Sequence, residues 1–273
     1  MTRPDDPPRA PEDALVPVPT GALTVGEAPD ASAASAPIKL SLVIPTYNER
    51  ENIAELVALL GALLDPPLGD AYELVLVDDD SPDRTWEAAL ALSADNPRLR
   101  VMRRVGERCL STAVIRGWQA SRGEVLGVID ADLQHPPELT KALWDEMARG
   151  ADLAVGSRHV EGGGVSDWSL SRRILSRGAQ ALGLAILPRV VSRVADPMSG
   201  YFMVRRSAIL GKPMDPLGYK ILIEVLGRGH IGVIREVGYV FRERSEGESK
   251  VTKRLYLDYL RQLVRLRRAA ETG

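Results

Sequence analysis

Short apolar runs alternate along most of the chain with longer segments in which apolar residues recur every three or four positions. The mostly apolar run at 40–44 predicts a strand buried on both faces, and the spacing of Ile53, Leu56 and Leu60 predicts an amphipathic helix. Asn48 with Glu51 indicates a capping-box start for that helix. The same alternation predicts further strands at 73–77, 99–102, 125–129 and 152–155, with helices near 86–90, 113–120 and 138–147.

Beyond residue 156 the alternation is looser, but it continues. A Gly-rich loop at 162–164 precedes a predicted helix that carries Arg172, Arg173 and Arg177. Strands are predicted at 201–204 and 231–240, and helices at 219–226 and 251–270. Strands that alternate with helices indicate βαβ units. The predicted fold class is therefore α/β, with a mainly parallel, doubly wound sheet and helices on both faces.

The two ends of the chain differ from this pattern. Residues 1–37 are rich in Pro, Ala and Asp without apolar periodicity, which predicts a disordered tail before a folded domain at 38–250. Residues 251–273 predict a basic amphipathic helix with an apolar stripe flanked by Lys and Arg. Such a helix either lies on an anionic membrane surface or packs on the domain with a basic outer face. The stripe consists of Leu255, Tyr259, Leu263 and Leu266.

Composition narrows the class of protein. The 273 residues are 45% hydrophobic and 26% charged, which is typical of one globular domain with appendages, and the formal charge of −2 gives no reason to expect nucleic acid as a partner. The lone Cys109 excludes a disulfide framework and a cysteine zinc site. The apolar runs are shorter than the roughly 20 residues of a membrane span. Without a recognisable secretion signal, we expect a soluble or peripheral cytoplasmic protein. If the helix at 251–273 lies on a membrane, the protein is peripheral on the cytoplasmic face of that membrane.

Acidic and amide side chains follow the predicted strand at 125–129. If the segment after it is extended, alternate residues point the same way, and Asp130, Asp132 and Gln134 converge. Three oxygen donors suit a hard divalent cation whose other positions go to water and substrate phosphates. Taken alone, the segment is more readily interpreted as a solvated acidic turn than as a metal site.

Other strand ends bear on the kind of ligand. No Gly-x-Gly-x-x-Gly or phosphate-cradling glycine loop follows the first strand, so dinucleotide and P-loop sites are excluded. Glu49 and the cluster Asp78–Asp80 instead place carboxylates at two further strand ends. Carboxylates beside a nucleotide require a bridging metal or contacts with base and ribose, and Tyr47 can stack on a base. The alternatives are that Tyr47 edges the core and that the cluster is a plain turn.

The motifs together resemble glycosyltransferase family 2 and, within it, the dolichol-phosphate (polyprenol-phosphate) mannose synthases. The similarity covers roughly residues 38–255. The motifs occur in the order Pro45-Thr46-Tyr47-Asn48-Glu49, Val77-Asp78-Asp79-Asp80-Ser81-Pro82-Asp83, Asp130-Ala131-Asp132-Leu133-Gln134, Gly156-Ser157-Arg158, Asp196-Pro197-Met198-Ser199-Gly200 and Gly247-Glu248-Ser249-Lys250.

The resemblance implies a GT-A fold and the inverting transfer of mannose from GDP-mannose to dolichyl or polyprenyl phosphate. It also implies roles for individual residues, with Asp132, Arg158, Arg244 and Lys250 as the catalytic set. The nucleoside contacts would be Pro45, Tyr47, Glu49, Val77 and Asp79. The donor diphosphate would meet Asp130, Ala131 and Asp132, and Mg²⁺ or Mn²⁺ would be held by Asp130, Asp132 and Gln134. The phosphate contacts would be Arg158, Lys220, Arg244 and Lys250, with Arg173 and Arg177 facing the lipid phosphate.

The charge of the acceptor simplifies the chemistry. An alcohol needs a general base, whereas a phosphate monoester near neutral pH is already a nucleophile, so no obligatory catalytic base is expected. Positioning of two anions by a metal and cations would supply most of the acceleration. Asp196 lies either near the acceptor or in a turn that begins a strand.

One segment departs from the family. Where relatives commonly have Gly-Leu-Gly, this chain has Cys109-Leu110-Ser111, so the loop shape is expected to differ. Two alternatives stay open: the same chemistry with another donor, such as UDP-glucose or an aminosugar nucleotide, and a noncatalytic nucleotide- or lipid-binding partner of a membrane complex.

Overall fold

The computed structural model describes residues 12–28, 37–165, 170–241 and 253–272, with backbone alone for 13, 170–177, 253–256 and 270–272. The strands are β1 Leu40–Thr46, β2 Tyr72–Asp78, β3 Leu99–Arg103, β4 Val125–Val128, β5 Leu153–Ser157, β6 Gly164–Val165, β7 Phe202–Arg205, β8 Ile234–Gly238 and β9 Val240–Phe241. The α-helices are α1 Ile53–Leu68, α2 Thr85–Asp95, α3 Leu110–Ala120, α4 Leu139–Ala148, α5 Leu170–Ile186, α6 Pro188–Val191, α7 Arg206–Ile209, α8 Ile221–Arg228 and α9 Lys253–Thr272.

Seven strands form one sheet in the order β3-β2-β1-β4-β7-β5-β8. All neighbours are parallel except β7, which runs antiparallel between β4 and β5. Thr46 pairs with Asp78, and Val43 pairs with Val128, so β1, β2 and β4 end at the same edge. The predicted mainly parallel sheet is confirmed. The reversed direction of β7 was not predicted, because a strand buried on both faces has the same apolar composition in either direction.

Both faces of the sheet are covered, as the mostly apolar runs predict. Alternate residues of β1 enter different cores: Leu42 and Ile44 pack under α1 and α4, whereas Val43 packs on the opposite side with Trp118 of α3. Helix α1 begins at Ile53, with Asn52 and not Asn48 at its N-cap position, and no side chain caps it. The predicted capping box at Asn48 is therefore wrong.

The N-terminal segment is more ordered than predicted. Residues 15–26, here called the N-terminal strap, lie along the domain, and the amide of Val16 donates to the carbonyl of Val101 over 2.7 Å. Val25 is fully buried in the α3 core, and the Arg206 guanidinium donates to the carbonyl of Gly26 over 3.0 Å. The prediction of a disordered tail is therefore wrong for residues 12–28. The few apolar side chains of this segment pack on a surface formed by the rest of the fold. The composition of the segment alone does not reveal that surface.

A charge at Val25 is expected to destabilise the protein strongly. Val25→Asp places a carboxylate in an apolar site, so the free energy of unfolding should fall by about 3 kcal/mol or more. Denaturant unfolding measures this change. Val105→Asp is the matched control, because Val105 is 69% exposed and the same substitution should be nearly neutral there.

The C-terminal helix α9 packs against α5 and α8. Its residues Tyr259, Leu263 and Leu266 are buried, and the Tyr259 hydroxyl donates to the carbonyl of Ala179 over 3.0 Å. The predicted apolar stripe therefore faces the domain over these three positions, and the alternative of a packed helix with a basic outer face is correct there. The side chain of Leu255 lies outside the described residues. No helix within the described ranges is long and apolar enough to span a membrane.

Candidate active site

Three loops that follow β1, β2 and β4 meet at one edge of the sheet, as predicted. Each loop contains a residue other than glycine with positive φ: Asn48 at 57°, Asp80 at 53° and Leu133 at 56°. Asn and Asp tolerate this left-handed conformation, whereas a bulky residue such as Leu adopts it rarely. Backbone strain thus concentrates where the sequence predicts chemistry.

Asp78, the last residue of β2, and Asp79, which follows it, are both hydrogen-bonded within the protein. Asp78 accepts hydrogen bonds from Thr46 Oγ1 (2.9 Å) and Ser81 Oγ (2.6 Å), and it joins the loops after β1 and β2. Asp79 accepts from Arg104 Nε (2.7 Å) and from the Cys109 amide (2.9 Å). Burial raises the pKa of both carboxyls, and the Arg104 charge opposes this for Asp79. Asp79 therefore holds the 104–109 loop, whatever contact it makes with a nucleoside.

Tyr47 has a planar partner on its ring. The Arg108 guanidinium carbon lies 3.4 Å from the centre of the Tyr47 ring, which is the separation of stacked planar groups. Glu49 accepts from the Asn52 side chain over 2.8 Å. Pro45 pairs with Val77 across β1 and β2, and the Val77 side chain is fully buried. The nucleoside contacts of both residues stay predictions.

The departure from the family pattern does not strain the backbone at Cys109. Its φ of −164° is extended, a conformation that any residue adopts, and its thiol donates to the carbonyl of Gly218 over 3.1 Å. Ser111 lies buried in the first turn of α3.

The segment predicted to bind metal forms a turn. β4 ends at Val128, and Leu133 adopts a left-handed backbone conformation. The backbone amide of Gln134 donates to Asp132 Oδ1 over 3.2 Å. The expectation of an extended segment with alternating side chains is wrong, because residues 131–133 form a turn. Asp130 and Asp132 are half-buried, Ala131 is buried, and Gln134 is nearly so.

The chemistry of this donor set fits a hard divalent cation. Two carboxylates and an amide oxygen leave coordination positions for diphosphate oxygens and water. Among the described residues no group of three or more His, Cys, Asp or Glu side chains is arranged to hold a metal, so a site here depends on Gln134 and the substrate. The ligand assignment stays a prediction.

Asp130 faces a neutral histidine and a glycine. His135 Nδ1 lies 3.7 Å from Asp130 Oδ2, too far for a hydrogen bond. Burial and the charges of Arg158 and Lys220 lower the pKa of His135 to about 3, so it is neutral at physiological pH. A Cβ at Gly200 would lie 3.3 Å from Asp130 Oδ2, so the glycine leaves room for that carboxylate.

Two basic side chains, Arg158 and Lys220, belong to the same charged cluster as this carboxylate. Arg158 forms a bidentate ion pair with Asp196, with Nε–Oδ2 at 2.7 Å and Nη2–Oδ1 at 2.8 Å. Lys220 Nζ donates to the carbonyl of Met198 over 2.8 Å. Burial and the Arg158 charge lower the pKa of Lys220 to about 7, although Asp196 and Asp130 oppose the shift. Arg158, Lys220 and Asp130 therefore share one electrostatic environment.

Four predicted residues cannot be placed by their side chains. Arg173 and Arg177 lie one turn apart in α5, which is described there by its backbone alone. Arg244 and Lys250 lie outside the described residues. Conversely, the sequence reasoning missed Arg104, Arg108 and Glu236. The position of Arg104 just after β3 was a usable signal, since β3 ends at the same edge, but nothing in the sequence pairs it with Asp79.

Comparison with known proteins decides the family. The model of glycosyl transferase family 2 matches residues 41–210. The chain belongs to that family. A dolichol-phosphate mannosyltransferase from Pyrococcus furiosus is 45% identical over 229 residues, which are 84% of this chain and 64% of that protein. The dolichol-phosphate mannosyltransferase of Saccharomyces cerevisiae is 34% identical over 238 residues, 84% of this chain and 87% of that protein. This glycosyltransferase family 2 chain thus spans less than two thirds of the Pyrococcus relative.

Solved structures confirm the predicted GT-A fold. Glucosyl-3-phosphoglycerate synthase from Mycobacterium tuberculosis, in complex with Mn²⁺, UDP-glucose and phosphoglyceric acid, matches with a TM-score of 0.64 at 20% identity over 84% of this chain and 80% of that chain. Mannosyl-3-phosphoglycerate synthase from Rubrobacter xylanophilus matches with a TM-score of 0.63 at 19% identity over 86% and 76% of the two chains. At this identity the likeness concerns the fold alone.

Proposed function

We propose that this family 2 glycosyltransferase moves mannose from GDP-mannose to dolichyl or polyprenyl phosphate, with inversion at the anomeric carbon. One observation carries the proposal: the Asp130 carboxylate, two residues beyond the end of β4, and the basic side chains of Arg158 and Lys220 belong to one charged cluster. Such a cluster suits a diphosphate substrate, because basic side chains bind its phosphates and carboxylates can hold the divalent ion that accompanies it. The named relatives, which are dolichol-phosphate mannosyltransferases, support the choice of sugar and acceptor.

The residues act on the charge that develops as the anomeric bond breaks. Arg158 and Lys220 stabilise negative charge on the departing diphosphate, because they are held in place before the substrate arrives. Asp130, Asp132 and Gln134 would hold Mg²⁺ or Mn²⁺, which when bound supplies Lewis-acid stabilisation of the same leaving group. Tyr47 and the loops around Asp79 would hold the nucleoside.

The acceptor needs orientation more than activation. A lipid phosphate is anionic near neutral pH, so it attacks without losing a proton to the protein. His135 is buried and neutral and does not serve as a base in this scheme. Arg173, Arg177, Arg244 and Lys250 are proposed to contact phosphates of donor or acceptor.

Purified protein, polyprenyl phosphate and a panel of sugar nucleotides test the proposal directly. We expect turnover with GDP-mannose, formation of the β-linked lipid product, and loss of turnover with EDTA that added Mn²⁺ restores. Turnover with a UDP-sugar alone would overturn the mannose assignment. Activity undiminished by EDTA would remove the metal from the scheme.

The pH dependence of donor binding tests the role of Lys220. Its lowered pKa, about 7, means that much of the free protein carries a neutral amine above that pH. A bound diphosphate favours the ammonium form, so binding should take up a proton near pH 8 and weaken as the pH rises above about 7. Calorimetry of GDP binding in two buffers of different ionisation enthalpy measures the uptake. Lys220→Met should abolish it, and equal uptake in that variant would contradict the assignment.

Peripheral membrane contact is proposed for the outer face of α9. This face combines the exposed Leu257 and Val264 with Arg261, Arg265 and Arg268, and it points away from the packed stripe. Apolar and cationic side chains together suit a surface of anionic lipids, where a polyprenyl acceptor resides. Replacing the three arginines with glutamate should abolish cosedimentation with phosphatidylserine vesicles. The control replaces the exposed cations Lys141, Arg149 and Arg235 in the same way. Equal loss in both variants would contradict a specific face.

A further inference from the structure

The loop at 195–200 arrives at the active-site edge because β7 is antiparallel. Phe202, the first residue of β7, pairs with Val128 at the end of β4 and with Val155 in β5. The residues before β7 therefore lie beside the residues that follow β4 and β5. Met198 accepts from Lys220, and Gly200 leaves space for Asp130. Together with the Asp196–Arg158 ion pair, one loop thus lies against three side chains of the proposed donor site.

Asp196 is the charged residue of this loop, and it is fully buried. Oδ2 accepts from the Arg158 backbone amide (3.0 Å) and from Nε (2.7 Å), and Oδ1 accepts from Nη2 (2.8 Å). Burial by itself raises the pKa of Asp196, but the Arg158 hydrogen bonds and charge outweigh it and lower the pKa. The carboxylate is therefore ionised and committed to Arg158.

The backbone of the loop is fixed from a further strand. Glu236 of β8 accepts from the Ala195 amide over 2.8 Å and from the Asp196 amide over 3.3 Å. Glu236 therefore orients the residue that orients Arg158. A flexible arginine held by two parallel hydrogen bonds presents its remaining donors in one direction. Donors fixed before the reaction stabilise developing charge better than donors that must reorganise.

We propose that Asp196 is a positioning residue for sugar transfer, and that it acts only through Arg158. The inference deepens the proposed function, because it rests on Arg158 contacting a substrate phosphate. It also assigns a task to the Asp-Pro-Met-Ser-Gly motif: the motif carries the counter-charge of a phosphate-binding arginine into the site from the antiparallel strand.

A double-mutant cycle tests this inference, with kcat/KM for transfer and the Kd of inorganic pyrophosphate in Mn²⁺ as readouts. Asp196→Asn removes the charge but keeps the shape of the side chain. It should lower kcat/KM by about 100-fold, mainly through kcat, and raise the Kd of pyrophosphate by about tenfold. Arg158→Met should lower kcat/KM and raise the Kd of pyrophosphate by at least the same factors. In the Arg158→Met background, Asp196→Asn should change either readout by less than about twofold.

The outcomes separate the two proposals. Equal losses from Asp196→Asn in both backgrounds would show that Asp196 acts on another group, and no loss in the native background would show that it positions nothing. Either result overturns the inference. If the native protein binds pyrophosphate but transfers no sugar, the proposed function fails, and the binding cycle still decides the inference. If it binds no pyrophosphate, Arg158 has no phosphate to contact and the inference falls with it.

A buried carboxylate at the opposite edge of the sheet controls for stability. Glu73 is fully buried and pairs with Arg100 at 2.9 Å and Arg122 at 2.8 Å. Glu73→Gln should lower the unfolding midpoint much as Asp196→Asn does and leave kcat/KM and pyrophosphate binding unchanged. Parallel loss of activity in the two variants would reduce the role of Asp196 to folding, and that result would also overturn the inference.

Discussion

Asp132→Ala is expected to lower kcat/KM for mannosyl transfer by about 10²- to 10³-fold and to leave the fold intact. Asp132 is half-buried in a turn outside the apolar cores, so its removal creates no cavity in them. The loss should come from the leaving group, because one of two carboxylates proposed to hold the divalent ion is gone.

Steady-state kinetics and Mn²⁺ titration together check this expectation. Mn²⁺ affinity should fall with activity, and excess Mn²⁺ should restore part of the rate. Asp145→Ala is the matched control, since Asp145 lies on α4 in an exposed pair with Lys141. Asp132→Ala protein with near-native turnover would contradict the central role of this carboxylate.

Arg104→Met is expected to destabilise the protein by about 3–5 kcal/mol, because it leaves the Asp79 carboxylate buried without its cation. Arg104 and Asp79 are almost entirely buried and lie 2.6 Å apart at Nη2 and Oδ1. Arg104 also donates to Thr112 and to the carbonyl of Cys109, so the 104–109 loop loses its anchor as well. Nucleoside binding should weaken with it.

Low pH should reduce the loss of unfolding free energy caused by Arg104→Met. Without Arg104 the pKa of Asp79 rises further above its value in the unfolded chain, so the folded state binds more protons than the unfolded state between the two values. Stability of the variant should then fall as the pH rises through that window, and the difference from the native protein should be smallest below about pH 4.

Urea unfolding from pH 4 to 8 measures both effects. Arg84→Met provides the control, because the Arg84–Glu87 pair is exposed, with 47% of the Arg84 side chain accessible, and such a pair contributes less than about 1 kcal/mol. A pH-independent penalty in Arg104→Met would show that lost packing, not the unpaired Asp79 charge, causes the destabilisation.

Most of the fold follows from local patterns. The predicted strands at 40–44, 73–77 and 99–102 lie within β1, β2 and β3. Short, mostly apolar runs of this length are buried by a sheet that is covered on both faces. The direction of β7 and the docking of Val25 did not follow. Both depend on surfaces that exist only once the rest of the sheet has formed, and no local spacing encodes them.

The candidate site was predictable as a set of residue types at one edge. Thr46 pairs with Asp78 in the register that the strand lengths imply, so the acidic loops meet. The partners were not predictable: Asp196 lies 38 residues from Arg158, and Arg104 lies 25 from Asp79. With 35 Lys and Arg residues in the chain, sequence alone cannot choose which cation balances which carboxylate. The inward orientation of Tyr259 on α9 was likewise undetermined, because both sides of that helix contain apolar residues.

The N-terminal strap has a consequence for how the protein behaves in solution. β3 is an outer strand of the sheet, and its Val101 carbonyl is bonded by Val16 of the strap. An uncovered outer strand is a template on which another chain can add its own strand. A protein shortened to begin at residue 38 would expose this template, so its first defect would be self-association into aggregates, even where the catalytic loops are unchanged.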